Sequence, residues 1–252
     1  MIGYRIERYD TVESTNDIAR ARAEAGESEG LVITAVCQTR GRGRQGRTWS
    51  SPPGNLYMSM LLRPKTEPGR AASLSLVSAL ALAEAIGPHA RLKWPNDVQI
   101  RGAKVAGILL ETSGDAIVVG LGANVANHPT GMPYPTTCLH DEDIDLDAPR
   151  LCDLFLGRFA LHYGSWQKDG FAALHGAWMS RTAPVGSTIG LRRGATTMRG
   201  RFAGLTEDGA LAIEAFDGTL ETHTAGEVLS LDAPAEERAG PPREATSLRC
   251  PD

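Results

Sequence analysis

The sequence predicts a mixed α/β fold of the α+β kind, a mixed sheet with packed helices followed by a small β-barrel. Three observations predict it. Over residues 1–181 short apolar, β-branched runs alternate with a few helical stretches, the pattern of a sheet with helices laid on it. Near Arg181 the character changes to short strands separated by Asp-Gly turns. The chain has 252 residues, 42% hydrophobic and 22% charged, enough for one sizeable core with a smaller companion. That mix excludes a disordered, collagen-like or coiled-coil chain.

The elements follow in order. Residues 4–12 (YRIERYDTV) read as a strand, and Ser14-Thr15-Asn16-Asp17 opens an Ala- and Arg-rich helix ending near Gly26. The simplest account of that tetrapeptide is a helix cap, Ser14 at N-cap with Asp17 three residues on in a capping-box-like place. Residues 31–37 (LVITAVC) make a buried strand that delivers the chain into a glycine- and arginine-rich loop, 41–47. Residues 55–62 (NLYMSMLL) are another strand, and 71–86 a helix stopped by Gly87-Pro88. Short extended pieces at 91–94 and 98–100 flank Pro95-Asn96-Asp97; strands at 104–111 (KVAGILLE) and 116–124 (AIVVGLGAN) follow.

The acidic run 141–147 (DEDIDLD) imitates the start of a calcium loop, but Ala148 replaces the required Gly and Leu154 the terminal Glu, so it reads as a solvated loop. Helices are expected over 151–166 and 171–179. Short strands at 188–192, 198–205, 210–216, 219–224 and 227–231, with Asp208-Gly209 and Asp217-Gly218 as turns, suggest a barrel of the SH3 kind. The expected division is therefore 1–181, 182–232 and a tail, 233–252, that is poor in large aliphatics and expected to be disordered.

Composition removes several function classes. Cys37, Cys138, Cys152 and Cys250 lie 101, 14 and 98 residues apart, giving neither a zinc ribbon nor a dense disulfide framework. The six histidines are scattered, with no H-E-x-x-H. The longest apolar stretch, 71–86, is interrupted by Ser73, Ser75, Ser78 and Glu84 and falls short of the roughly 18 residues of a membrane helix. The first residues hold no apolar signal core, so a cytoplasmic protein without membrane association is expected. Net charge is −4, against a general nucleic-acid binder, yet residues 30–66 contain no Asp or Glu while Arg40, Arg42, Arg44, Arg47, Arg63 and Lys65 supply +6. A local positive field in an acidic protein suggests a specific anionic ligand.

Gly41-Arg42-Gly43-Arg44-Gln45-Gly46 matches G-x-G-x-x-G after a strand. A dinucleotide site requires a helix to begin inside that motif, with an acidic residue about 20 residues on. Here the motif runs into Arg47-Thr48-Trp49-Ser50-Ser51-Pro52-Pro53-Gly54, which cannot be a helix, and the acidic residue is missing. No Walker A sequence exists either. What remains is a flexible loop whose arginines match phosphate oxygens bidentately, or else an exposed Arg-Gly loop or RNA-binding segment.

The second constellation is Lys93-Trp94-Pro95-Asn96-Asp97, with Lys104 seven residues after Asp97. A lysine pointing inward at the start of an apolar hairpin is costly unless it meets an anion. Taken singly, each residue has a blander reading: Lys104 snorkelling to the surface, Asp97 capping a turn, Trp94 in the core.

Taken together, S-T-N, Q-T-R-G-R-G-R-Q-G-R-x-W, K-W-P-N-D, K-V-A-G-I-L and G-L-G-A-N-V, in this order, resemble the biotin–protein ligases over about residues 4–232. The resemblance implies a catalytic domain of the class II aminoacyl-tRNA-synthetase/biotin-ligase type, then an SH3-like barrel. It implies biotin and ATP as substrates, Mg²⁺, and a biotin carboxyl carrier protein or domain as acceptor. It places Ser14, Thr15, Asn16 and Gln38 on the biotin ring system, with Gly107 also against biotin. Arg42, Gly43 and Arg44 fall in a loop closing over biotin and its adenylate. Lys104 matches the lysine that contacts the biotin carboxylate and phosphate. Arg47, Trp49, Asn96 and Asn124 match positions near the nucleotide; Asp97 lies by the adenylate site or a metal, without an assigned role. Lys104, Arg42 and Arg44 are the expected catalytic residues. Gln45 departs from the pattern, since many relatives carry another arginine there.

The implied chemistry suits these residue types. A carboxylate acylates poorly until it has attacked the α-phosphate of ATP, and cations must then hold two anions in line. Some relatives repress transcription through an N-terminal helix-turn-helix; with the first motif at Ser14, operator binding is not expected. Monomer and homodimer both stay open. The alternatives are a lipoate or octanoate ligase or transferase of the same fold, whose own signature is missing, and an RNA-binding module. A sequence pI of 5.9 and the lack of aromatics interleaved with the arginines argue against the latter.

Overall fold

The computed structural model describes residues 2–230, so the expected tail 233–252 lies outside the described residues. Along the chain run β1 (Arg5–Val12), α1 (Thr15–Glu24), β2 (Leu31–Gln38), β3 (Leu56–Leu62), α2 (Pro68–Ala71), α3 (Leu74–Ile86), β4 (Ala90–Lys93), β5 (Asp97–Ile100), β6 (Ala103–Ser113) and β7 (Ala116–Ala123). Then come α4 (Ala148–Asp169), α5 (Ala172–Met179), β8 (Thr188–Arg193), β9 (Thr196–Leu205), β10 (Leu211–Ala215), β11 (Leu220–His223) and β12 (Glu227–Ser230).

Seven strands form a mixed sheet in the order β1-β2-β3-β7-β6-β5-β4. Helix α1 crosses between β1 and β2, which are therefore parallel; every other pairing is antiparallel. The period-two alternation of the strands sorts side chains onto two faces. Val32, Met58, Met60, Val119 and Leu121 pack with α3 and α4, whereas Leu31, Ile33, Leu61 and Val118 pack with Ala19 and Ala23 of α1. The α1 face carries the site.

Helix α3 is buried on nearly every side, between the sheet and α4. The helical stretch Gly69–Ile86 is the one segment among the described residues long and apolar enough to cross a membrane, and 61% of it is buried inside the protein, as a core helix is. The helix expected over 71–86 starts at Leu74, after the single turn α2. Helix α4 outruns its expected 151–166 because Asp147 accepts from the Arg150 N–H at 2.7 Å and Pro149 fits the first turn.

The second sheet is antiparallel, order β11-β10-β9-β8-β12, consistent with an SH3-like unit. Its inward residues Ile189, Leu191, Phe202, Leu211 and Ile213 join the core of the first sheet. Trp94, from the K-W-P-N-D segment, is buried and donates through Nε1 to the Gly209 carbonyl at 3.0 Å. That bond ties the two sheets directly behind the site.

Candidate active site

The floor of the site is made by missing side chains. Gly107 on β6 pairs with Gly122 on β7, and Gly120 pairs with Ser59 on β3. The hollow they leave on the α1 face is entered from two directions. Asn16 lies on Gly120, where any Cβ would collide with its amide, and the Trp49 indole lies on Gly122, where a Cβ would sit 2.5 Å from the ring. Only glycine permits these approaches.

The S-T-N tripeptide is held by a polar network that the helix-cap reading does not describe. Ser14 occupies the N-cap position, but its side chain makes no cap bond. Gln38, at the end of β2, instead accepts from the Thr15 N–H at 2.9 Å, and its amide donates to Ser51 Oγ at 3.0 Å. Ser59, fully buried, donates to Thr15 Oγ1 at 2.7 Å and lies 2.5 Å from Asn16 Oδ1. Asn16 in turn donates to Glu111 at 2.7 Å. Asp17 does not close a capping box; it pairs with Arg42.

The arginine loop is a small closed structure. Gly43 N–H donates to the Arg47 carbonyl at 2.7 Å and Trp49 N–H to Gly41 at 2.9 Å; Gln45, with φ of 58°, makes the turn. Each arginine has a partner elsewhere in the protein: Arg40 on Glu13, Arg42 on Asp17, Arg44 on Asn96, Arg47 on Glu227. Burial pushes the Arg44 guanidinium below its ordinary value, against the pull of the Asp97 charge.

Asn96 is a rigid post: its amide donates to the Ile108 carbonyl at 2.9 Å while its oxygen accepts from Arg44 at 2.8 Å. Beside it Lys104 points inward, its ammonium 2.6 Å from Asp97 and facing the rings of Trp49 and Tyr134 at 5.5 and 5.7 Å. The side chain is 13% exposed, so it does not snorkel. Lys93 pairs with Asp97 across β4 and β5, and burial lowers its ammonium from the usual range. Lys93, Lys104, Arg44 and Arg47 thus gather around two carboxylates, Asp97 and Glu227.

One cleft is lined by Ser14, Thr15, Asn16, Gln38, Arg42, Gly43, Arg44, Arg47, Trp49, Asn96, Lys104 and Gly107, twelve of the residues singled out in the sequence. Asp97 stands just behind Lys104. Asn124 is not in the wall: it is buried, its side-chain amide donating to the Thr137 carbonyl at 3.0 Å and its main-chain carbonyl accepting from the Leu139 N–H at 3.1 Å. It holds the segment that lies along Lys104 and brings Tyr134 over it. Ser59, Glu111, Tyr134 and Glu227 escaped the sequence reading. Glu111 ends the K-V-A-G-I-L-L-E run and carries a signal in hindsight; Ser59, alone among apolar strand residues, is the other.

Residues 9–124 match the model of the biotin/lipoate A/B protein ligase family. The biotin–[acetyl-CoA-carboxylase] ligase of Paracoccus denitrificans is 39% identical over 218 residues, covering 80% of this chain and 90% of that protein. The chain belongs to the biotin/lipoate A/B protein ligase family. Among other members of the ligase family, the bifunctional ligase/repressor BirA of Escherichia coli is 32% identical over 230 residues, 86% of this chain and 71% of that protein. The biotin protein ligase of Aquifex aeolicus, solved in complex with biotin and ATP, superposes with a TM-score of 0.77 at 30% identity, covering 89% of this chain and 97% of that one.

Proposed function

We propose that this ligase activates biotin with ATP as biotinyl-5′-adenylate and then transfers it to one lysine of a biotin carboxyl carrier protein or domain. The observation that carries the reading is the convergence of Arg44 and Lys104, from segments 60 residues apart, on a glycine-floored cleft entered by the S-T-N tripeptide. The likeness to ligases that act on the acetyl-CoA carboxylase, and to a structure holding biotin and ATP, supports it.

In the first step the biotin carboxylate attacks the α-phosphorus, the bond to the β-phosphate oxygen breaks, and pyrophosphate leaves. Both reactants are anions, and charge builds on the phosphoryl oxygens. Lys104, preorganised by Asp97 between two aromatic rings, is the donor for the carboxylate and phosphate; Arg42 and Arg44 supply the facing charge. Ser14, Thr15, Asn16 and Gln38, with Gly107, receive the biotin rings. Arg47, Trp49 and Asn96 border the nucleotide, and Asn124 supports them from behind. The adenylate hydrolyses if water enters, so the loop over Gly43 serves as its cover. The acceptor lysine then attacks the acyl carbon, and AMP leaves with the electron pair. No nucleophilic side chain of this chain is required.

Among the described residues no three His, Cys, Asp or Glu side chains gather to cage a metal. Asp97, the carboxylate beside Lys104, fits Mg²⁺ carried in on the nucleotide, since that ion keeps its waters and takes one or two carboxylates plus phosphates. When bound it would neutralise phosphate charge.

The same proposal places the catalytic unit in residues 1–181 and the barrel in 182–232, in a cytoplasmic protein without operator binding; a sequence-specific shift on DNA would overturn the last point. The testing experiment is biotin-dependent exchange of labelled pyrophosphate into ATP, with lipoate and octanoate in parallel. Exchange with biotin alone is expected. Exchange with lipoate or octanoate instead would move the chain to the other branch of its family.

A further inference from the structure

We infer that Asp17, backed by Glu111, is a positioning residue that aims the Arg42 guanidinium into the cleft. The inference rests on the proposed reaction, and it concerns the residue after S-T-N, whose carboxylate pairs with Arg42 of the cleft and, at 3.3 Å, with Arg20 outside it.

The geometry is a two-point clamp. Arg42 donates through Nη1 to Asp17 Oδ2 at 2.8 Å and through Nη2 to Asp17 Oδ1 at 2.7 Å. A fork-to-fork pair fixes the plane of the guanidinium as well as its distance. Glu111 Oε2 stands 3.6 Å from the same Nη2, and it also accepts from Asn16 at 2.7 Å. A guanidinium has five N–H groups; the end-on pair uses two and Glu111 faces the second N–H of Nη2, which leaves two for an anion in the cleft. The side chains of Arg42 and Asp17 are 34% and 31% exposed, at the rim rather than in the core.

The clamp joins the two halves of the site. Asp17 lies in the first turn of α1, one residue after Asn16; Arg42 lies across the loop from Thr48, to which it is bridged. The loop's own hydrogen bonds fix its shape but not its place, and Asp17 places it against the helix that carries Thr15 and Asn16. A helix N-terminus already favours an acidic side chain, but here that carboxylate is turned onto a neighbour. The Arg42 hydrogen bond holds the Asp17 carboxyl below its usual range, so the clamp stays charged wherever the enzyme would work.

The test is a double-mutant cycle on the full chain, reading biotin-dependent pyrophosphate exchange. Asp17→Asn is expected to lower kcat/KM for biotin about tenfold, mostly through KM, with the melting temperature unchanged. Asp17→Glu should recover most of the loss. In an Arg42→Gln background, Asp17→Asn should cost nothing further, because the residue it aims is gone. An equal loss in both backgrounds, or wild-type kinetics for Asp17→Asn, overturns the inference while leaving the reaction standing. A folded wild-type chain that exchanges nothing with biotin overturns the reading of the reaction instead.

Discussion

Arg47 of the arginine loop donates to Glu227 at 3.0 Å, so a carboxylate on the last described strand of the second sheet holds the loop of the first. Glu227 also accepts from Arg192 at 2.6 Å, and the neighbouring Gly226 carbonyl accepts from Arg44. Burial pushes the Glu227 carboxyl up, but the hydrogen bonds from Arg192 and Arg47 outweigh it and hold it at about 2. The second sheet therefore braces the loop that walls the cleft.

That depressed value fixes a pH dependence. A carboxyl lowered on folding stabilises the protein above its unfolded value, and the gain is lost as pH falls toward the folded one. The melting-temperature difference between wild type and Glu227→Gln should be constant above about pH 5 and shrink between about 4.5 and 2. Thermal melts over that range check it; a difference that grows on acidification would contradict the Arg47 and Arg192 pairing.

Lys104→Ala should leave the fold intact and reduce adenylate formation at least about 100-fold, on the scale of one lost donor to a developing charge. Pyrophosphate exchange measures it. Near-normal turnover would remove Lys104 from its proposed role.

Gly122→Ala tests the floor of the cleft. The new methyl would lie 2.5 Å from the Trp49 ring, so the indole must leave its place over Gly107 and Lys104. Exchange is expected to drop about tenfold or more, with a shifted tryptophan emission and an unchanged circular dichroism spectrum. Unchanged emission and activity together would show that Trp49 has no fixed seat there.

Arg44→Gly should release adenylate into solution. The side chain spans from the loop to Asn96 and the Gly226 carbonyl, so its loss opens the cover on both sides. Labelling of lysines on a bystander protein, in the presence of biotin and ATP, reads the leak; labelling confined to the carrier would mean that the loop does not act as a lid.

Much of this site was legible because its chemistry depends on local words. An inward lysine needs an anion, and Lys104 finds Asp97; an Arg-Gly loop without a following helix cannot be a dinucleotide turn, and residues 41–49 instead close on themselves. Twelve chosen residues come together in one cleft because the start of α1, the loop after β2, the turn between β4 and β5 and strand β6 meet on one face of the sheet. Asn124 shows the limit. Its motif pointed to the nucleotide, yet its side-chain amide is spent on the Thr137 carbonyl, a partner that no spacing in the sequence announces.

The sequence by itself determined the alternation of strands and helices, the change of character near Arg181, and the residue types that meet an anionic substrate. These are set by periodicity, turn chemistry and charge, which act over a few residues. Only the tertiary structure decided the pairing: that Asp17 faces Arg42 rather than capping its own helix, that Gln38 caps it instead, and that Glu227 reaches back 180 residues to Arg47. Asp17 keeps a local partner as well, Arg20 at 3.3 Å, but its two-point pair is with Arg42. Sheet order and burial supply the distant partners, because a charge or amide at the edge of a core is held where folding brings its complement.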